Sequence, residues 1–302
     1  MNQYITLLEQ KGIFNERLAL VRLLLAISAL LTIIFNDVKY ITDFSLMVPD
    51  EATFATIVFF KKFSIFSLFS PILAKFFSIL ILVSVIIGYL PQLTCFFQAW
   101  IHLSICNSFL GVDGGDQIAS NLSLLLIPIC LFDNRLNQWK SQTKNETNIR
   151  KAINVFFSCY FFLIILQVAV IYLHSAVGKL NSTEWKDGTC AYYWFTNNVF
   201  GAPIYMQKFY NFITLSYFAP IITWSVIILE LLLFACVLVT DKKIKKSFLI
   251  FGILFHFSIA ITHGLITFFF SMAASLILYL DSENITYQYI KRKLKPLRYE
   301  KQ

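Results

Sequence analysis

The chain has 302 residues, of which 58% are hydrophobic and only 14% charged, and its mean hydropathy is +0.68. A water-soluble domain of this size cannot hide that much apolar surface, so the composition points to an all-α polytopic membrane protein, a transmembrane helical bundle. The net charge of +8 would suit nucleic acid. However, the basic residues lie between and after the apolar runs, as in cytoplasmic loops, and nucleic acid is not expected as a partner.

The first apolar run, Leu18 to Phe35, is longer than the core of a secretory signal, and no small-residue cleavage site follows it. It reads as a retained first span. Windows of about twenty residues place further spans near 73–90, 92–110, 117–132, 154–178, 219–239, 247–262 and 264–280. That makes about eight in all. Gly88-Tyr89-Leu90-Pro91 is the expected turn between the second and third, because proline disfavours helix in the residue before it. His263-Gly264 is the expected turn between the last two, with a single kinked helix as the alternative.

Orientation follows from lysine and arginine in the short loops. Arg135, Lys140, Lys144, Arg150 and Lys151 follow the fourth span, and Lys242, Lys243, Lys245 and Lys246 follow the sixth. Lys291, Arg292, Lys293, Lys295 and Arg298 follow the eighth. All three clusters share one side if both termini are cytoplasmic. The whole chain then reads as one membrane domain, 1–302, with 281–302 a basic cytoplasmic tail. Lys39, Lys61 and Lys62 do not follow the rule. In this arrangement segment 36–72, the turn "GVDGGDQ", the loop from Lys179 to about Tyr217 and the His263 turn share the outer face. Segment 36–72 is expected to include a helix lying in the membrane interface, and the aromatic loop 186–217 to pack back on the bundle as a lid.

The six cysteines show no paired spacing and no CxxC, and five lie within apolar runs, so they read as packing residues. Ionisable groups at membrane depth are costly, and each asks for a partner or a use. Arg22 and Glu230 lie within the first and sixth spans. The plain expectation is an interhelical ion pair between them; the sharper one has Glu230 lining a polar cavity. His256 and His263 are two turns apart and share a face if the helix continues, but a zinc site would want a third ligand and tighter spacing. No metal site is expected. His102 reads as a packing residue. Asp116, after Gly114 and Gly115, is placed to cap the fourth span; the cap leaves Asp113 unexplained, since one carboxylate suffices for it. His174 and Lys179 close the fifth span. Lys179 either snorkels to the headgroups or is desolvated and usable as a base.

The stretch "QVAVIYLHSAVGKLNSTEWKDGTCAYYW", preceded by "GVDGGDQIASNLSLLLIP" and followed by "ILELLLF" and "FHFSIAITHGLITFFFSMAASLILYL", resembles the HTTM-like membrane domain. Vitamin K-dependent gamma-carboxylases carry that domain, and the nearer likeness is to the SdpB type, which matures a sporulation-delaying peptide toxin. The carrying signature is the order GGD, Y-x6-K-L-x4-W-x2-G, an intramembrane glutamate and a histidine before the last span. The resemblance implies that Lys179 is a base and that His256 faces the same cavity, with Asp116, His174, Trp185 and Glu230 contributing to substrate binding. It makes a quinol possible as cofactor. The chain departs from the carboxylases in lacking an asparagine-histidine pair where Gly115-Asp116 stands, and in ending some twenty residues past its last span, without their large luminal domain. Neither glutamate carboxylation nor vitamin K is carried over.

The resemblance implies a role in antimicrobial peptide maturation, a bacteriocin biosynthesis function, at the outer face of the bacterial cytoplasmic membrane. Its implied partners are the bilayer, a peptide toxin precursor and an accessory maturation protein. The alternatives are a quinol-dependent enzyme of the gamma-carboxylase type and a non-catalytic scaffold. No protease motif, P-loop or nucleotide fold is present, and no internal repeat supports a transporter.

Overall fold

Each expected apolar run forms a helix in the computed structural model, which describes residues 16–42, 61–140, 148–215 and 217–281. The chain runs through α1 (Glu16–Phe35), α2 (Val38–Ile41), α3 (Ile65–Leu68), α4 (Pro71–Ile87), α5 (Pro91–Ser108) and α6 (Gly114–Leu131). It continues through α7 (Asn148–Lys179), α8 (Thr183–Lys186), α9 (Cys190–Thr196), α10 (Ile204–Thr214), α11 (Phe218–Ala235), α12 (Lys242–His263) and α13 (Ile266–Leu280). Among the described residues the only pairing of β type is an isolated bridge between Tyr89 and Asn137. The fold is an all-α membrane bundle. Helices α1, α6, α7, α11 and α12 are long and apolar enough to cross a bilayer, while α4 and α13 are shorter apolar helices. The interfacial helix expected in 36–72 falls largely outside the described residues, as does the basic tail beyond Asp281.

Two apolar clusters meet along α1. One face, with Val21 and Leu25, joins Leu122, Leu126, Ile129, Ile277 and Leu280. The other, with Ala26, Ala29 and Ile33, joins Leu82, Val85, Ile101 and Ile105 of α4 and α5. Helix α13 is buried continuously from Ser271 to Leu280. A helix that is apolar all round belongs in the interior, and α13 is enclosed by α1, α6, α7 and α12 rather than lining the lipid.

The two sharp reversals form as expected. Gly88 adopts a left-handed φ of 89° and Pro91 opens α5. Gly264 ends α12 with φ 72°. Gly88 has a second constraint, because a Cβ there would lie 2.6 Å from Trp139 Cδ1. Segment 137–139 folds against the end of α4, where helix carbonyls have no intrahelical donor. The side chains of Gln138, Trp139 and Asn137 donate to the carbonyls of Val85, Ile86 and Ile87 at 3.0, 3.1 and 2.9 Å.

The same plug takes up Arg22. Its guanidinium donates to Gln138 Oε1 at 2.6 Å, Thr94 Oγ1 at 2.9 Å and Gln98 Oε1 at 3.2 Å. Gln98 in turn donates to the Arg22 carbonyl. The expected Arg22–Glu230 ion pair is therefore not formed. Arg22 is satisfied by neutral oxygens of α5 and the 137–139 segment, and Glu230 has another partner.

Candidate functional site

Helix α7 carries Tyr172, Ser175, Ala176 and Lys179 at helical spacings that put them on one face. Tyr172 and Ala176 are buried. His174 lies off this face and is exposed, so the expectation that it joins the site is not supported.

Lys179 does not reach outward. Its Nζ donates to Glu230 Oε1 and Oε2 at 2.7 and 2.8 Å and to Ser175 Oγ at 2.6 Å. Ser175 Oγ donates to Glu230 Oε1 at 3.0 Å, closing a triangle between α7 and α11. The ring of Trp185, on α8, lies 5.3 Å from Nζ, a cation–π contact that covers the ammonium. Glu230 was expected to pair with Arg22 or to line a polar cavity; instead it is bonded directly to Lys179. Charge-assisted bonds of this kind are the strong ones, and here they also compensate two ions removed from water.

His256 of α12 sits behind this pair. Its Nε2 is 3.2 Å from Tyr172 Oη, and its Nδ1 is buried with no hydrogen-bond partner among the described residues. Phe268 packs edge-on at 5.5 Å between ring centroids. The charge of Lys179 acts on His256, and that of Glu230 on Tyr172, so the two polar pairs lie within electrostatic reach. Ser175 was not singled out from sequence, and Tyr172 entered only as the first residue of the Y-x6-K-L signature, with no role given to it. Their signal was available in the Y-x2-S-x3-K spacing that sets all three side chains on one face.

Asp116 is corrected in role. Asp113 is the cap of α6: its Oδ1 accepts from the Asp116 N–H at 2.9 Å, and Asp116 Oδ2 accepts from the Asp113 N–H at 3.3 Å. This reciprocal capping box uses both carboxylates and removes the difficulty of the second. Asp116 belongs to the same end of the bundle. Gly115 approaches Phe268 so closely that a Cβ would lie 2.7 Å from its Cα. The Phe268 ring, however, contacts His256, and no hydrogen bond among the described residues joins Asp116 to His256 or Lys179.

The loop after α8 does fold back as a lid. Thr223 Oγ1 of α11 accepts from the Ala191 N–H at 3.1 Å and donates to the Gly188 carbonyl at 3.0 Å. His263 Nδ1 is 2.6 Å from the Phe200 carbonyl, and Tyr210 Oη is 2.8 Å from Thr262 Oγ1. Phe195 stacks between Tyr210 and His263, at 4.2 and 5.5 Å. Burial in this lid pushes the Cys190 thiol up to about 11, which makes it a poor nucleophile at neutral pH.

A buried ammonium–carboxylate triangle and a histidine–tyrosine pair, under an aromatic lid at one end of an all-α bundle, define a polytopic membrane protein with a polar site among its spans. The chain belongs to the SdpB family. It is 36% identical over 278 residues to sporulation-delaying protein SdpB of Bacillus subtilis (strain 168), an alignment covering 89% of this chain and 82% of that protein. It is also 32% identical over 301 residues to the protein YitO of the same organism, covering 97% of this chain and 95% of YitO. No family model matches the chain, so the HTTM-like resemblance stands on its motif order alone. No solved structure matches it.

Proposed function

We propose that this protein takes part in producing a secreted antimicrobial peptide of the sporulation-delaying type. It does so as a single membrane domain of the bacterial cytoplasmic membrane, with both termini and the basic tail cytoplasmic and the lid on the outer face. Membership of the SdpB family supports the process. The observation that carries the site is the Ser175–Lys179–Glu230 triangle under Trp185. It is a costly polar assembly close to the lid, and behind it His256 Nδ1 is buried with no hydrogen-bond partner among the described residues. In this reading the peptide precursor engages the site from the lid side, and an accessory maturation protein completes the process.

The geometry bears on the quinol suggested by the HTTM-like resemblance. A quinol hydroxyl at this depth needs a polar partner, and His256 Nδ1 is a group of that kind. Lys179, bonded to both oxygens of Glu230, is not free to serve as a base toward it in this arrangement.

One observation favours a second reading, a non-catalytic scaffold: Lys179 is closed into an ion pair, as a structural lysine would be. Toxin production measured at equal membrane abundance separates the two. Under the site reading, Lys179→Ala lowers production by roughly tenfold or more, because it leaves Glu230 without its charged partner where the precursor engages. The double variant Lys179→Met with Glu230→Leu, which removes both charges at similar volume, recovers abundance but not production. Normal production from the double variant would leave the scaffold.

A further inference from the structure

Helix α10 has three faces where an ordinary surface helix has two. Tyr210 and Thr214 dock on the bundle, Tyr210 through its hydroxyl to Thr262 and its ring against Phe195, and Met206 and Ile213 are half-buried beside them. A second strip, Gln207 and Asn211, is polar and exposed. On the third, Tyr205, Phe209 and Phe212 recur at one-turn spacing and are 83%, 59% and 74% exposed. Lys208 sits between the polar and the exposed apolar strips, where a long stem can lie along apolar surface and lift its charge to water.

An apolar strip of large rings left open in a segment that is neither a span nor a free loop asks for an occupant. Two observations name it. The strip leads through Leu215, Tyr217 and Phe218 into α11, whose exposed Ile221, Trp224 and Ile228 form the outward face of a spanning helix. The lid end is also where exposed tyrosine and tryptophan collect, with Tyr193, Trp194, Tyr205, Tyr217 and Trp224. Those two residue types favour the membrane–water boundary, where the ring body is apolar and the tip is wet.

We infer that α10 lies in the plane of the membrane interface as a lipid-embedded anchor for the lid. Tyr205, Phe209 and Phe212 face the acyl chains and Gln207 and Asn211 face water. The helix then meets three environments at once: the bundle through Tyr210, lipid through the ring strip, and solvent through the amides. Anchored so, the lid and His263 are held at the membrane boundary above the Lys179–Glu230 pair. The inference stands on α10 and its continuity with α11 and does not depend on the proposed function.

The test replaces Phe209, Phe212 or Gln207 in turn with benzoylphenylalanine in the full chain, irradiates intact membranes, and weighs the products by mass spectrometry. Adducts of phospholipid mass are expected at positions 209 and 212 and not at 207. Three outcomes would overturn the inference. Protein adducts at 209 and 212 would mean that a partner chain or peptide covers the strip. Absence of adducts at both would mean that it faces water. Lipid adducts at 207 equal to those at 209 would mean that the helix does not lie in the plane.

Discussion

Glu230 is the residue on which the site turns, because it neutralises Lys179 across two helices. Removing one member of a buried pair leaves the other charged and unpaired, which costs more than the pair's net worth. Glu230→Gln is therefore expected to destabilise the protein by about 3 kcal/mol, read as an earlier thermal unfolding transition in detergent. Adding Lys179→Met to that background should recover most of the loss. A Glu230→Gln variant as stable as the parent would show that the ions are not compensating one another. Arg22 differs in kind: its partners are neutral oxygens of Gln98, Gln138 and Thr94, so its cost is met by hydrogen bonds rather than by an opposite charge.

At the level of elements, helix ends carry much of the specificity. The start of α6 depends on the reciprocal Asp113–Asp116 box, and the end of α4 on Gly88 and the 137–139 segment. Asp113→Ala should cost about 1 kcal/mol, and Asp113→Asn, which keeps the accepting oxygen, distinctly less. Gly88→Ala should cost about 1–3 kcal/mol for the left-handed backbone alone, before the contact with Trp139 is counted. Equal melting temperatures for Asp113→Ala and Asp113→Asn would remove the cap from this account. The lid helices α9 and α10 depend on tertiary contacts instead, since each is too short to be stable in isolation.

Across the whole molecule, polar groups are distributed by end. The lid, the His263 turn and the start of α6 meet at one end, through Phe200–His263, Tyr210–Thr262 and Gly115–Phe268. The Gly88 turn and the 137–139 plug lie together elsewhere, gathered around Arg22 and the bidentate Asp133–Arg135 pair. The proposed orientation puts the lid outside, and alkaline phosphatase fused after Asn198 should be active while a fusion after Lys140 should not. The reverse pattern would invert the topology and move the site to the cytoplasmic face.

The apolar helices, five of them among the described residues long and apolar enough to cross a bilayer, were legible in the sequence because run length and hydropathy are local properties, and a bilayer selects on them directly. The two glycine turns were legible for a similar reason, since backbone freedom is a property of the residue itself. The lid too was foreseen, from aromatic density in a loop. Pairing was not legible. Glu230 had two cations to choose from, and only the packing of α11 against α7 gives it Lys179, while the 137–139 plug claims Arg22. The exposure of His174 and the joining of His256 to Tyr172 have the same origin. Each depends on which helix faces are brought together, a choice made by the sum of many weak packing contacts and marked by no single residue along the chain.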